Sequence, residues 1–216
     1  MRLPSSILVA LLLLVPLHFA GTSQAAAATP APKTVLLVGD SLSSAHRIPA
    51  EAGWVVLLQH RLDRATPAPP VIVNSSRGGK TLTDALQELP ALLTAHRPQL
   101  VIFELGANDA ILGANQQDLQ RNMALLISRT KASGAKVAML GFEIPPTLDK
   151  NDSAQTLRRA YAHIQQSQQI VLLPSLMDGI SNDPALLLDD GVHPTAAAQA
   201  RMLDNAWGTL RPLLLD

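Results

Sequence analysis

Thr34-Val35-Leu36-Leu37-Val38-Gly39-Asp40-Ser41-Leu42-Ser43 decides how the rest of the chain is read. Residues 34–38 are an uncharged run of β-formers with no polar alternation, the pattern of a strand buried on both faces. It stops abruptly at Gly39-Asp40-Ser41, so small and polar residues sit where an α/β sheet presents its ligands, beyond the carboxyl end of a strand. Four similar runs follow, at 71–73, 100–103, 137–140 and 170–173. Between them the apolar spacing turns helical. Trp54, Val55, Leu57, Leu58 and Leu62 mark a helix over 51–64, and Leu82, Ala85, Leu86, Leu89, Leu92 and Leu93 mark one over 81–95. Pro90 is expected to kink or divide the second. Helices are also predicted over 119–131, closed by Gly134, over 154–168, and over 194–210 with Pro194 in its first turn. Strands alternating with helices imply an α/β chain folded as a three-layer α/β/α sandwich around a parallel sheet of about five strands.

Length and composition narrow the options further. The 216 residues suit a single domain, expected over 34–216. Lys plus Arg and Asp plus Glu both number 17, which argues against a nucleic-acid partner. The absence of cysteine excludes disulfides, thiolate metal sites, a cysteine nucleophile and a lipidated cysteine anchor. Residues 1–25 carry Arg2, a mostly apolar stretch over 7–19 and then small residues, the pattern of a signal peptide, with cleavage expected near Ala25 or Ala27. The stretch is shorter than the roughly 20 residues a membrane span needs, so no stable membrane anchor is expected after cleavage. Residues 26–33 read as a short tether stiffened by Pro30 and Pro32.

Polar residues cluster in four places. Gly39-Asp40-Ser41 follows strand one, Asn74 to Thr81 (NSSRGGKT) follows strand two, and Gly106-Ala107-Asn108-Asp109 follows strand three. Asp190-Gly191-Val192-His193-Pro194 precedes the last helix. A neutral serine is a weak nucleophile and needs a base on its hydroxyl, a role suited to the imidazole of His193. That ring needs a carboxylate on its other nitrogen, and Asp190 can reach it locally. The N–H groups of Ser41 and Gly79 and the amide of Asn108 are candidate donors to an oxyanion. Gly78, one residue away, is an alternative to Gly79.

With the separations between them, these blocks resemble the GDSL/SGNH hydrolase superfamily, and within it the bacterial multifunctional thioesterase/lysophospholipase/arylesterase group. Glu104-Leu105, Ile144-Pro145-Pro146 and Leu203 to Trp207 are also of that group's kind. The resemblance implies a flavodoxin-like fold and a catalytic triad of Ser41, Asp190 and His193. It implies an oxyanion hole of Ser41, Gly79 and Asn108, with no cofactor and no metal. The implied substrates are small acyl esters, thioesters or lysolipids. Lys80 stands where the group often has an acidic residue, a difference expected to alter charge near the site.

The expectation is therefore an exported serine esterase, periplasmic or secreted, acting as a monomer. The same parts also serve carbohydrate or small-ester deacetylases, and a non-catalytic binding domain remains an alternative. Ile111, Leu112, Ile144 and Pro145 are candidate substrate-binding residues. Asp40 reads as a structural turn residue, Ser43 and Ser44 as caps, and Asp189 as a solvated neighbour of Asp190. His46 is a candidate neighbour of the site. The other histidines lack metal-ligand spacing, and Trp54 and Trp207 read as core or rim. Gly79-Lys80-Thr81 suggests a phosphate loop, but Asn74 stands where that motif needs a glycine.

Overall fold

A computed structural model describes residues 33–215; the expected leader over 1–25 and the tether up to residue 32 lie outside the described residues. Five strands form one parallel sheet: β1 (Thr34–Gly39), β2 (Val71–Asn74), β3 (Leu100–Glu104), β4 (Lys136–Leu140) and β5 (Val171–Leu173). Their order is β2-β1-β3-β4-β5. The central strands β1, β3 and β4 are almost wholly buried, as their largely uncharged sequences require, while the edge strands β2 and β5 are partly exposed. Among the described residues six α-helices connect and cover them: α1 (Trp54–Ala65), α2 (Leu82–His96), α3 (Ala107–Ile111), α4 (Gln116–Ala132), α5 (Ser153–Gln168) and α6 (Gln199–Leu215). The helices α1 and α6 pack together, and α2, α4 and α5 pack side by side. Right-handed crossovers to the left and right of β1 put these two groups on opposite faces. The expected three-layer sandwich is the observed one.

Two local expectations are corrected. Helix α2 continues through Pro90 and is not divided there. Proline cannot donate to the carbonyl of Leu86, four residues earlier, and Arg129 on α4 donates to that carbonyl instead at 3.2 Å. The last helix begins at Gln199, and Pro194 lies outside it, bridged antiparallel to Leu187. The backbone there is committed to a hairpin, with Leu188 N–H donating to His193 O at 2.7 Å and Thr195 N–H to Leu186 O at 2.8 Å. Residues 41–47 form turns in which Ala45 and Arg47 adopt φ of 56° and 57°, a left-handed conformation that ends any helical run. The first helix begins only at Trp54, after a 3-10 turn at Ala50–Ala52.

The order β2-β1-β3 means that the chain leaves β1 in one direction along the sheet and later returns on the other side. The connections leaving β1 and β3 therefore run in opposite directions and leave a crevice between them, the usual ligand position in sheets of this order. Register pairs Gly39 of β1 with Glu104 of β3. Asp40-Ser41 and Gly106-Ala107-Asn108 thus emerge side by side.

Candidate active site

Ser41 sits in a turn fixed by its neighbours. Leu42 N–H donates to Asp40 Oδ1 at 3.1 Å, Ser44 N–H to Asp40 O at 3.1 Å, and the Asn74 amide to Ser43 O at 2.8 Å. Ser41 Oγ lies 2.9 Å from Nε2 of His193, and Nδ1 of that ring lies 2.9 Å from Oδ2 of Asp190. Asp190 Oδ1 accepts the backbone N–H groups of Val192 and His193, each at 2.9 Å. Burial works to raise the Asp190 carboxyl, but these N–H groups and the imidazole outweigh it and hold its pKa at about 2. An ionised Asp190 keeps the proton of neutral His193 on Nδ1. That leaves the Nε2 lone pair facing the Ser41 hydroxyl, the tautomer a general base requires.

Asn108 lines the same cavity as Ser41 and His193. Gly79 has φ of +72°, open to glycine at little cost, and nothing lies within 4 Å of where a Cβ would stand. Its N–H donates to no protein acceptor among the described residues. The Asn108 amide donates to Asp40 Oδ2 at 3.0 Å and to Lys80 O at 3.1 Å. Both partners are acceptors, which fixes the amide with nitrogen towards them. Asn108 opens α3 because Gly106, at φ +113°, turns the chain sharply out of β3. That φ is one that L side chains rarely adopt, which favours glycine at 106. Next to Asn108, Asp109 accepts Leu82 N–H at 2.9 Å and so ties α3 to the start of α2. Thr81 completes that start with a capping box, its hydroxyl accepting Asp84 N–H and its own N–H donating to Asp84.

Two residues read in sequence only as a turn former and a family block form a buried carboxyl pair. Asp40 is 3% exposed and Glu104 1% exposed. Glu104 Oε2 accepts the Ser43 hydroxyl at 2.9 Å and Asp40 N–H at 3.3 Å. Burial, and then the charge of Asp40, push the Glu104 carboxyl well above its ordinary range. Burial also raises Asp40, offset by the Leu42 N–H and by donation from the Glu104 carboxyl. Glu104 therefore holds the proton, and Asp40 carries the charge that orients Asn108. Ser43 is a partner of this pair, not a cap.

The side chain of Lys80 is 2% exposed and turns away from the relay to pair with Glu88 at 2.7 Å and to donate to Ser75 O. Its charge is paired with Glu88 of α2 and does not face the site. His46 stacks on His193 with ring centroids 4.3 Å apart. Arg47 reaches Asp189 at 2.7 Å and Asp190 at 3.4 Å, so Asp189 is exposed but ion-paired.

A cavity of about 260 Å³ opens at Ser41, His193 and Asn108, with apolar walls from Leu42, Ala107, Ile111, Phe142, Leu148 and Val192. Of the four candidate substrate-binding residues, only Ile111 lines it. Leu112 is 77% exposed, and Ile144 and Pro145 line a neighbouring, larger and more polar cavity with Arg158, Asn182 and Gly191. Phe142 and Leu148 were not singled out in sequence, although their place after β4 is where the fold predicts ligand contacts. Trp54 is core, and Trp207 is partly buried beneath the Arg61 guanidinium, 5.3 Å from the ring centroid.

Residues 37–201 match the GDSL-like lipase/acylhydrolase family. The chain is 39% identical over 194 residues to esterase TesA of Pseudomonas aeruginosa, covering 89% of this chain and 92% of the relative. It is 32% identical over 181 residues to thioesterase 1/protease 1/lysophospholipase L1 of Escherichia coli, covering 84% and 85%. Among solved structures, the psychrotrophic esterase EstA from a Pseudoalteromonas species, inhibited by monoethylphosphonate, aligns with a TM-score of 0.78 at 30% identity. That alignment covers 84% of this chain and 98% of EstA.

Proposed function

The chain belongs to the GDSL-like lipase/acylhydrolase family and is an ester/thioester hydrolase, and from that membership we propose an exported serine esterase acting through Ser41, His193 and Asp190. The observation that carries this reading is the continuous relay from Ser41 Oγ through both ring nitrogens of His193 to Asp190, at 2.9 Å for each contact. In the proposed cycle, His193 Nε2 takes the proton as Ser41 Oγ bonds to the acyl carbon. Asp190 stabilises the imidazolium so formed. The tetrahedral oxyanion takes N–H donation from Ser41, Gly79 and the Asn108 amide, which relaxes its bond to Asp40 or Lys80 O to do so. Collapse expels the alcohol or thiol with the proton returned by His193. Water, deprotonated by the same ring, then releases the acid and regenerates Ser41.

The cavity supports an acyl chain longer than acetyl. A cavity of about 150 Å³ accommodates benzene, or about 25 Å³ per carbon. On that scale 260 Å³ takes about ten carbons, which favours medium-chain esters or lysolipids over deacetylation. Export is supported by the sequence of residues 1–25, and among the described residues no helix is long and apolar enough to cross a membrane. Acyl-thioester coenzymes are cytoplasmic metabolites, so an exported enzyme meets esters and lysolipids more readily.

The test compares the purified chain with its Ser41→Ala variant on p-nitrophenyl acetate, butyrate, octanoate and palmitate, with a lysophospholipid in parallel. Turnover that peaks at medium chains and falls at least about a thousandfold in the variant is expected. Equal turnover by both proteins would overturn the assignment of Ser41. Activity confined to acetate would overturn the acyl-pocket reading.

A further inference from the structure

We propose that His46, His193 and Asp190 form a binding site for a divalent transition-metal ion of the zinc and copper class, and that an ion bound there switches the hydrolase off. One donor atom from each of the three residues lies within 4.8 Å of the other two. Zinc with bonds of about 2.0–2.1 Å to nitrogen needs donors roughly 3.4 Å apart, so a modest rotation of the His46 ring closes the set. Two imidazoles and one carboxylate select zinc or copper over magnesium or calcium, which prefer all-oxygen shells.

His46 is free to serve. Its ring makes no hydrogen bond among the described residues and rests against His193 at an interplanar angle of 42°. The segment that carries it is held in place. Ala45 and Arg47 on either side adopt left-handed backbone, and Arg47 is anchored to Asp189 and Asp190. Conformations of this kind in non-glycine residues persist only where the surroundings enforce them. The local charge also favours a cation, because Asp189 and Asp190 face a single Arg47. Asp190 is already oriented by two backbone N–H groups on Oδ1, while Oδ2 faces the His193 ring and is touched by Arg47 Nη1 at 3.4 Å. Ligand and supporting bonds are thus both present. The group is part-exposed, so an ion can enter from solvent.

Binding and turnover are mutually exclusive, because both nitrogens of His193 are engaged in the relay. An ion on Nε2 takes the lone pair that would accept the Ser41 proton. An ion on Nδ1 displaces the ring proton and breaks the bond to Asp190. Either way Ser41 loses its base, so the ion is an inhibitor and not a cofactor. The inhibition rests on the triad reading above, whereas the binding does not.

The experiment titrates zinc chloride into the purified chain and its His46→Gln variant, each hydrolysing p-nitrophenyl butyrate and each normalised to its own metal-free rate. Calorimetry follows zinc binding to the Ser41→Ala protein with and without His46→Gln. Expected are inhibition reversed by EDTA, no effect of magnesium, and an inhibitory concentration at least about tenfold higher in His46→Gln, with the calorimetric site weakened to match. Equal inhibition of both proteins, or binding unaffected by His46→Gln, would overturn the proposal. If no ester in the panel is turned over, His46-dependent calorimetric binding still supports the metal site while the esterase reading fails. Unfolding midpoints of the two proteins within about a degree of each other show that the variant reports ligation and not folding.

Discussion

Replacing Glu104 by glutamine should flatten the fall of stability with pH above the carboxylate range. Glu104 is fully enclosed at the end of β3, and burial first, then the Asp40 charge, keep its carboxyl protonated well above the ordinary value of 4.5. The folded chain therefore holds a proton that the unfolded chain releases once the pH passes about 4.5. Stability changes with pH in proportion to the protons bound by the unfolded state minus those bound by the folded state. That difference approaches −1 here, so the wild-type chain loses up to about 1.4 kcal/mol per pH unit from this one group until the buried carboxyl itself ionises.

The amide introduced by Glu104→Gln can accept the Ser43 hydroxyl and Asp40 N–H through its carbonyl and donate to the Asp40 carboxylate through its nitrogen. The contacts therefore persist while the titration disappears. Asp109, also raised by burial, is present in both proteins and cancels in the comparison. The assay is urea unfolding from about pH 5 to pH 8, read as the difference in free energy between the two proteins. The variant should gain on the wild type as the pH rises, at up to about 1.4 kcal/mol per unit. Parallel curves would mean that Glu104 ionises like an exposed carboxylate in the fold, and the buried-proton account would be wrong.

Two further outcomes follow from particular contacts. Ile111→Trp fills part of the cavity beside Ser41, so octanoate turnover should fall at least about tenfold while acetate turnover holds. Equal loss on both esters in the chain-length assay would place the acyl chain elsewhere. Gly141→Ala puts a methyl group inside contact distance of the Pro174 carbonyl, where Gly141 N–H also donates to Leu173 O at 2.7 Å. Overpacking of this kind should cost about 1–3 kcal/mol. The midpoint of thermal unfolding should then fall by a few to about ten degrees, and an unchanged midpoint would show that the β4–β5 junction yields freely.

What could be read from the residues themselves was short in range, and the long-range pairing of Ser41 with His193 came from the order of the motifs. The buried strands announce themselves because each is a continuous apolar run, and Asp190 and His193 are three residues apart, so their pairing needs no knowledge of the fold. The contacts missed in sequence join distant parts of the chain. Asp40 and Glu104 are 64 residues apart. Nothing near Asp40 in sequence indicates a second carboxyl, so it reads as an ordinary turn former. Pro90 reads as a break because its compensation comes from Arg129 on another helix. Lys80 reads as a charge beside the site because Glu88, well inside α2, gives no sign that it will turn the ammonium inward. Phe142 and Leu148 become cavity walls only once β4 is placed next to β3.

Strand order therefore decides the site more than any motif does. Ser41 and Asn108 lie 67 positions apart in sequence and meet because β1 and β3 are neighbours, with Gly39 opposite Glu104. Had the sheet run in simple sequence order, β2 would separate them and add about 4.8 Å to the gap between the strand ends. The Asn108 amide, now 3.0 Å from Asp40, would then be out of reach, and Glu104 would have no carboxylate to share its proton with. The same reversal of direction at β1 opens the crevice that becomes the cavity. One topological choice thus supplies the cavity beside Ser41, the aligned amide and the buried proton together, and a chain with all four motifs but another strand order would have none of them.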